Sequence, residues 1–323
     1  MRTFGLAIAL MLFADPALAF DCARAKSAAE RAICSDPEAR IADEALGKAY
    51  NRLRNSLVGE DAAELRHAQI EWIHSRDAAC STGDAKCLAE KSRERLRYLD
   101  GKPLDGDVSA SLFRPMFISR PAQNGSAPLS IRAIKFTGDG VWQSRLNATI
   151  DSAVKRAISD AEAAKENPGS HDDYNVDLGV DLAYASSRMF SVHVDSGSFM
   201  GQAHPDYSNY NINFDRSSGR ELTFDDLLDS ARAKPIFEFC RSAVAKEKRG
   251  RPGVVDPDHW KDDVELEEVR ESTKDLKFWS FNSSAAVIYY GAYAFGGYGQ
   301  CMCTCTIPYS MLRPIAKKDF PLP

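Results

Sequence analysis

Apolar positions change their period once along this chain, and the change divides it. From Lys26 to about Asp100 they recur every three to four residues among many Ala, Glu, Arg and Leu, with Pro37 the one proline. That spacing and composition predict helix, and four helices fit the span. Ser35-Asp36-Pro37 reads as a cap followed by proline in the first turn, and the helix it opens is expected to bury Ile41, Ala45, Ala49 and Leu53. A third helix from near Asp61 places Leu65, Ala68, Trp72 and Ala79 on one stripe, and a fourth after Gly83-Asp84 turns Leu88, Leu96 and Leu99 inward.

Between Gly101 and Ser130 the helical period stops and Pro103, Pro115, Pro121 and Pro128 appear with Gly125 and several serines. Residues 101–110 are therefore read as a linker between a helical domain (20–100) and a second domain (111–323). Beyond it the period is two. Tyr174, Val176, Leu178, Val180, Leu182 and Tyr184 alternate with polar or small residues, and Phe190, Val192 and Val194 follow a Ser186-Ser187-Arg188 turn. Together they predict a hairpin. Tyr210, Ile212 and Phe214 alternate with Asn209, Asn211 and Asn213 in a third strand, and Thr223 is placed to cap a short helix. Helices over Arg145 to Ala164, Pro235 to Lys248 and about Asp258 to Thr273, and strands near 278–281, 286–290 and 300–307, complete the reading. The predicted fold is multidomain: a small disulfide-stapled all-α bundle, then an α+β domain with an antiparallel sheet and helices on one face.

The first residues bear on compartment. Arg2, an apolar run from Phe4 to Phe13 and Ala17-Leu18-Ala19 fit a signal peptide over 1–19, with Phe20 the first mature residue. Some ten apolar residues fall short of the roughly 20 needed to span a bilayer as helix. Cys22 follows Asp21 and lacks the small residue that lipid attachment requires just before its cysteine. A periplasmic or secreted protein without a membrane anchor is expected, under oxidising conditions. With 44% hydrophobic residues and 10% aromatic residues in 323, ordered cores are expected, and a net charge of -5 argues against nucleic acid as a partner.

Eight cysteines gain weight from that compartment. Cys22 with Cys34 and Cys80 with Cys87 are the couples easiest to close, although four cysteines allow three connectivities. Neither couple has the spacing usual for zinc ligands. Cys301, Cys303 and Cys305 share one strand face, and Cys240 is expected to bond one of them, with Cys303 the assigned partner. Two thiols would remain, free or in a strained bond.

Within the helical part stand Cys22, Glu30-Arg31-Ala32-Ile33-Cys34-Ser35-Asp36-Pro37, Asp43, Tyr50, Gln69-Ile70-Glu71-Trp72 and Arg76-Asp77-Ala78-Ala79-Cys80. This region resembles the N-terminal domain family of the LprI-type lysozyme inhibitor, which implies an extracytoplasmic helical module linked to lysozyme inhibition. Read physically, Gln69, Trp72, Arg76 and Cys80 share one helical face, with Trp72 expected in the core and Arg76 paired to Asp43 or Glu44. In the second part, Gly201-Gln202-Ala203-His204-Pro205, Asn213-Phe214-Asp215, Gly219, Glu221-Leu222-Thr223, Tyr293 to Gly299 and Ile307-Pro308-Tyr309 are similar to the extracytoplasmic domain of RsiV-type anti-sigma factors, a domain also found beside polysaccharide deacetylases. That resemblance implies binding of lysozyme. A signalling role does not carry over, because no transmembrane or sigma-binding segment accompanies it here.

His204 in Ala-His-Pro-Asp and His259 in Asp-Pro-Asp-His-Trp are the most catalytic-looking residues, because histidine near aspartate can be held as a general base. No nucleophile elbow, His-Glu-x-x-His helix or phosphate-cradling loop accompanies them. His204 is expected to brace the turn after it and His193 to sit on a solvated strand face. The segment Tyr289 to Gly299 combines tyrosines and Phe295 with glycines, suited to presenting rigid aromatic anchors. The partner-binding candidates are His204, Tyr207, Tyr293, Phe295 and Tyr298, with Asp172, Asp173, Asp195, Asp206 and Asp225 as steering charges. No cofactor or metal is expected. These features predict an exported, non-catalytic protein binding lysozyme or another cationic muramidase; the alternative is a peptidoglycan- or carbohydrate-binding module, or an accessory domain of a cell-wall enzyme.

Overall fold

The computed structural model describes residues 22–80, 83–123, 125–166, 174–249, 266–291, 294–295 and 302–318. The signal peptide expectation lies outside them, as do Asp172, Asp173, His259, Tyr293, Tyr298 and Cys301. The chain forms two compact units, one of residues up to Ser56 with His74–Leu96, the other of Leu57–Ile73 with everything from Arg97.

The smaller unit is helical: α1 (Ala28–Ser35), α2 (Pro37–Ser56), the end of α3 (Glu60–Ala79) and most of α4 (Ala85–Leu99). Local chemistry sets the starts. Ser27 Oγ accepts from the Glu30 N–H at 3.0 Å while the Glu30 carboxylate accepts from the Ser27 N–H at 2.7 Å, a reciprocal cap on α1. Asp36 Oδ1 accepts from the Ala39 N–H at 2.8 Å, with Pro37 opening α2. The buried stripe of α2 is Ala39, Ala42, Leu46 and Ala49; of the expected set only Ala49 is buried, and Ile41 is 65% exposed. Small side chains let α2 approach its neighbours closely, so the alanine row outcompetes the row carrying the bulkier Ile41 and Leu53. Trp72 is half-buried and Ala79 exposed, so the α3 stripe is also narrower than expected.

The core of this unit is Ala29, Ile33, Ala39, Ala42, Cys80, Leu88 and Ala89, an alanine-rich set that buries little apolar area. Disulfides Cys22–Cys34 and Cys80–Cys87, with Cα separations of 5.6 and 5.5 Å, supply the missing constraint. Arg76, 6% exposed, pairs with Asp43 at 3.1 Å and Asp77 at 2.9 Å and reaches Ser92 Oγ. Burial pushes the Asp43 carboxyl up against the pull of Arg76.

The larger unit has two sheets. The first contains β1 (Asp105–Gly106), β2 (Phe113–Arg120), β3 (Leu129–Phe136), β4 (Asn175–Ala185), β5 (Met189–Phe199), β6 (Asp206–Asp215) and β7 (Arg220–Glu221). Their order is β2-β3-β4-β5-β6-β7, with β1 also on β4. Pairing is antiparallel, as expected, apart from β1 and β3, which run parallel to β4. The 23-residue helix α5 (Val141–Ala163) makes the β3-to-β4 crossover and buries Leu146, Ile150, Val154, Ala157 and Ala161 against β3 and β4. The second sheet, β10-β9-β8, comprises β8 (Trp279–Phe281), β9 (Ala285–Tyr289) and β10 (Thr304–Pro308). It shares a core with α7 (Lys234–Arg249) and α8 (Leu266–Lys274).

Strands β2 and β3 were not read from sequence. β2 is an edge strand carrying Pro115, which an edge tolerates because one side of its backbone needs no ladder partner. The strands predicted further on stand as expected, with all five even positions from Val176 to Tyr184 buried. Thr223 donates twice to the Asp226 carboxylate at the start of the short α6 (Phe224–Leu227), its N–H and its Oγ each 2.8 Å from Oδ2.

Two asparagines of the polar row of β6 are buried. Asn213 Nδ2 donates to the Leu276 and Trp279 carbonyls, each at 2.8 Å, and Asn211 Nδ2 donates to the Lys277 carbonyl at 3.3 Å. Asn211 Oδ1 lies 3.0 Å from Nδ1 of His193, which is half-buried for the same reason. Cys240 on α7 bonds Cys305 on β10, Cα 5.3 Å apart, and not Cys303. Both sulfurs are fully buried, and residue 305 is the member of the cysteine row that faces Cys240; Cys303 is also disulfide-bonded and is no free thiol.

Arg76→Leu should lower stability by about 3–5 kcal/mol, because it strands the Asp43 carboxylate in a buried site. Denaturant unfolding of the mature chain checks this, with an exposed arginine such as Arg40 as the control substitution.

Candidate binding face

At the open end of the first sheet, β5 and β6 are joined by a turn through the Gly-Gln-Ala-His-Pro run. Gln202 ties it: its side-chain oxygen accepts from the Met200 N–H and its amide donates to the Ser198 carbonyl at 3.2 Å and toward Asp206 Oδ2 at 3.4 Å. His204 is half-buried, Nδ1 3.2 Å from the Pro205 carbonyl, within the turn itself. The run thus holds the two strands at a fixed reach, and Tyr207 stands on β6 just beyond it.

Tyr207 pairs across the strands with Gly197. A Cβ at Gly197 would sit 3.1 Å from the Tyr207 Cε1, so the glycine is what lets the ring lie against the β5 backbone. The ring nevertheless stays 59% exposed. One register step inward, Arg132, Gly179, Asp195 and Asn209 align across four strands. A Cβ at Gly179 would collide with the Asp195 carboxylate, which lies over the β4 backbone there. Arg132 forks onto both Asp181 oxygens, Nη2 to Oδ2 at 2.8 Å, with its Cζ 5.0 Å from the Tyr98 ring.

Three depressions share Asp177: one of about 400 Å³ against α5, which also takes in Tyr207, and two others. One, of about 340 Å³, lies between this sheet end and the second sheet and is lined by Asp177, Asp195, Tyr207, Asn209, Tyr290 and Met302 among others. The other, of about 680 Å³, lies under the first half of α3 and is lined by Glu64, His67, Glu71, Ser119, Arg120 and Asp177. His67 Nδ1 is 3.0 Å from Ser119 Oγ and 3.6 Å from Glu71. Burial, then the charges of Glu71 and Asp195, push the Asp177 carboxyl up. Burial likewise raises Glu64, against the Ser119 N–H that it accepts. Negative charge is therefore concentrated beside a largely uncovered tyrosine ring.

Of the residues singled out from sequence, Tyr207 and Asp195 line this face. Asp206 and Asp225 are exposed, the latter hydrogen-bonded by Ser230. Phe295 is corrected: it is 2% exposed and meets Tyr290 edge-on at 4.9 Å, because the core of the second sheet takes its ring. Gly291, within the glycine-aromatic segment, and Met302, just beyond it, both border the smaller depression. Asp177, Glu71 and Gly197 were missed. No signal short of the strand register could have brought them together.

Fold and face define a disulfide-bonded, two-unit protein with open acidic depressions. Among the described residues there is no group of three or more metal-capable side chains, and no helix is long and apolar enough to cross a membrane. Residues 22–99, less than half of the chain, match the family described as Lysozyme inhibitor LprI. Comparison with curated proteins finds no match. Among solved structures, the chain is similar to a DUF3298 family protein from Pseudomonas aeruginosa PAO1, with 16% identity, 64% of this chain and 94% of that one covered, and a TM-score of 0.39. It is also similar to a DUF3298 family member from Bacteroides fragilis NCTC 9343, with 16% identity, 64% and 93% coverage and a TM-score of 0.43.

Tyr290 hydrogen-bonds Thr273 Oγ1 at 2.9 Å, and burial pushes its phenol up to about 12. A folded pKa above the unfolded value near 10 stabilises the protein below that value and less as pH rises through it. Stability measured by denaturant should therefore fall between pH 10 and pH 12, and more gently in Tyr290→Phe.

Proposed function

We propose that the mature chain is an extracytoplasmic, non-catalytic protein that binds a lysozyme-type muramidase and inhibits it by covering part of its surface. The observation that carries this reading is the match of residues 22–99 to the lysozyme inhibitor family. The disulfides support it, since Cys22–Cys34, Cys80–Cys87 and Cys240–Cys305 need an oxidising compartment to persist. The resemblance of the second part to RsiV-type domains points to the same partner. Acidic side chains at Asp177, Asp195, Glu64 and Glu71 would speed encounter with a basic enzyme, acting on association rate and salt dependence more than on final affinity.

Immobilised mature protein should retain a cationic muramidase and lower its lytic activity, and the association rate should fall as salt rises. Asp177→Asn with Asp195→Asn should slow association several-fold while changing dissociation little. Failure to bind any of several muramidases at low salt would defeat the reading.

A further inference from the structure

The depression beside Tyr207 has features that a purely electrostatic docking role does not use. Its aromatic ring rests on Gly197 and leaves the rest of its surface to solvent, 59% exposed. A cross-strand ring laid over glycine would shield the backbone best if it were itself covered; here it is held in place from beneath and left open. Asp195 and Asn209 stand one register step away on the same face, as hydrogen-bond acceptors and a donor beside the ring. Phe278, half-buried with the Lys277 Nζ 4.9 Å from its ring centroid, and Met302, 46% exposed, also line the depression and add apolar surface to it.

We propose that this depression is a saccharide-binding site for a neutral oligosaccharide of N-acetylhexosamine units. A pyranose presents a flat face of C–H groups to stack on Tyr207 and equatorial hydroxyls at its rim. The Asp195 carboxylate can accept from a pair of neighbouring hydroxyls, and the Asn209 amide can both donate and accept. An acetamido methyl would lie against Met302 and Phe278. The volume of about 340 Å³ falls in the range of small-ligand sites and suits one or two sugar rings. The Gln202-braced turn supplies rigidity, since it fixes the end of β6 from which Tyr207 projects. The site lies within the larger unit and does not depend on any muramidase being bound.

The probe is chitotetraose, an uncharged β-1,4-linked N-acetylglucosamine tetramer, titrated calorimetrically into the mature full-length protein with no muramidase present. Saturable binding that persists at high salt is expected, because the ligand carries no charge for the carboxylates to attract. Tyr207→Ala should weaken it by about tenfold or more, on the scale of losing one stacked ring, while Tyr207→Phe should stay close to wild type. Gly197→Val should weaken it as well, by pushing the ring off its seat. Tyr207 is exposed, so Tyr207→Ala should melt like wild type, and a thermal scan checks that the fold is kept. Wild type without saturable binding at millimolar chitotetraose, or a Tyr207→Ala variant that binds equally well, overturns the proposal. Neither result bears on muramidase inhibition, which is assayed separately.

Discussion

Two side-chain amides on β6 decide how the sheets of the larger unit meet. Asn213 gives both of its N–H groups to the Leu276 and Trp279 carbonyls, and Asn211 reaches the Lys277 carbonyl. These carbonyls belong to the bend that leads into β8, so the bend is fixed to the first sheet at three points. A buried carbonyl without a donor costs about 1–3 kcal/mol, which makes this seam specific in register as well as stabilising. The second sheet, with α7 and α8, then has one way to sit, and Trp279 and Phe281 fall into the core it shares with Phe224 and Phe237.

The open face follows from that placement. The second sheet covers the first near Asn213, and α5 covers the opposite side over β3 and β4. Both border the far end of β5 and β6 without filling it, and leave depressions there. There the residues change from Val192, Val194 and Ile212 to Ser196, Ser198 and Ser208. On the other side of the sheet, Gly179 on β4 and Gly197 on β5 make room for Asp195 and Tyr207. Two close backbone approaches therefore place a carboxylate and an aromatic ring side by side in solvent.

Much of this was legible in the chain. Strict alternation from Val176 to Tyr184 and from Phe190 to Val194 fixed the central hairpin, because a half-buried strand admits no other pattern. Asp36-Pro37 and Thr223 marked helix starts because their side chains satisfy backbone donors locally. What failed had long-range causes. Pro115 disguised β2, since only its edge position makes a proline acceptable. His193 read as solvated, but the second sheet half-buries it beside Asn211. Ile41 lost its expected place because packing of α2 is set by how closely alanines let its neighbours come. The choice of Cys305 among three alternate cysteines depended on where α7 lies, and so did the burial of Phe295 on what the second sheet could hold.

Burial sorts the disulfides by how readily an external thiolate could reach a sulfur along the bond axis. Cys22 is exposed and Cys34 and Cys87 are half-buried, whereas Cys240 and Cys305 are both at 0% exposure beneath α7. Mild reductant would thus strip the alanine-cored helical unit of its staples and leave the link between α7 and β10 closed until that helix lifts away. The chain would pass through a half-dismantled form in which its two units differ in durability.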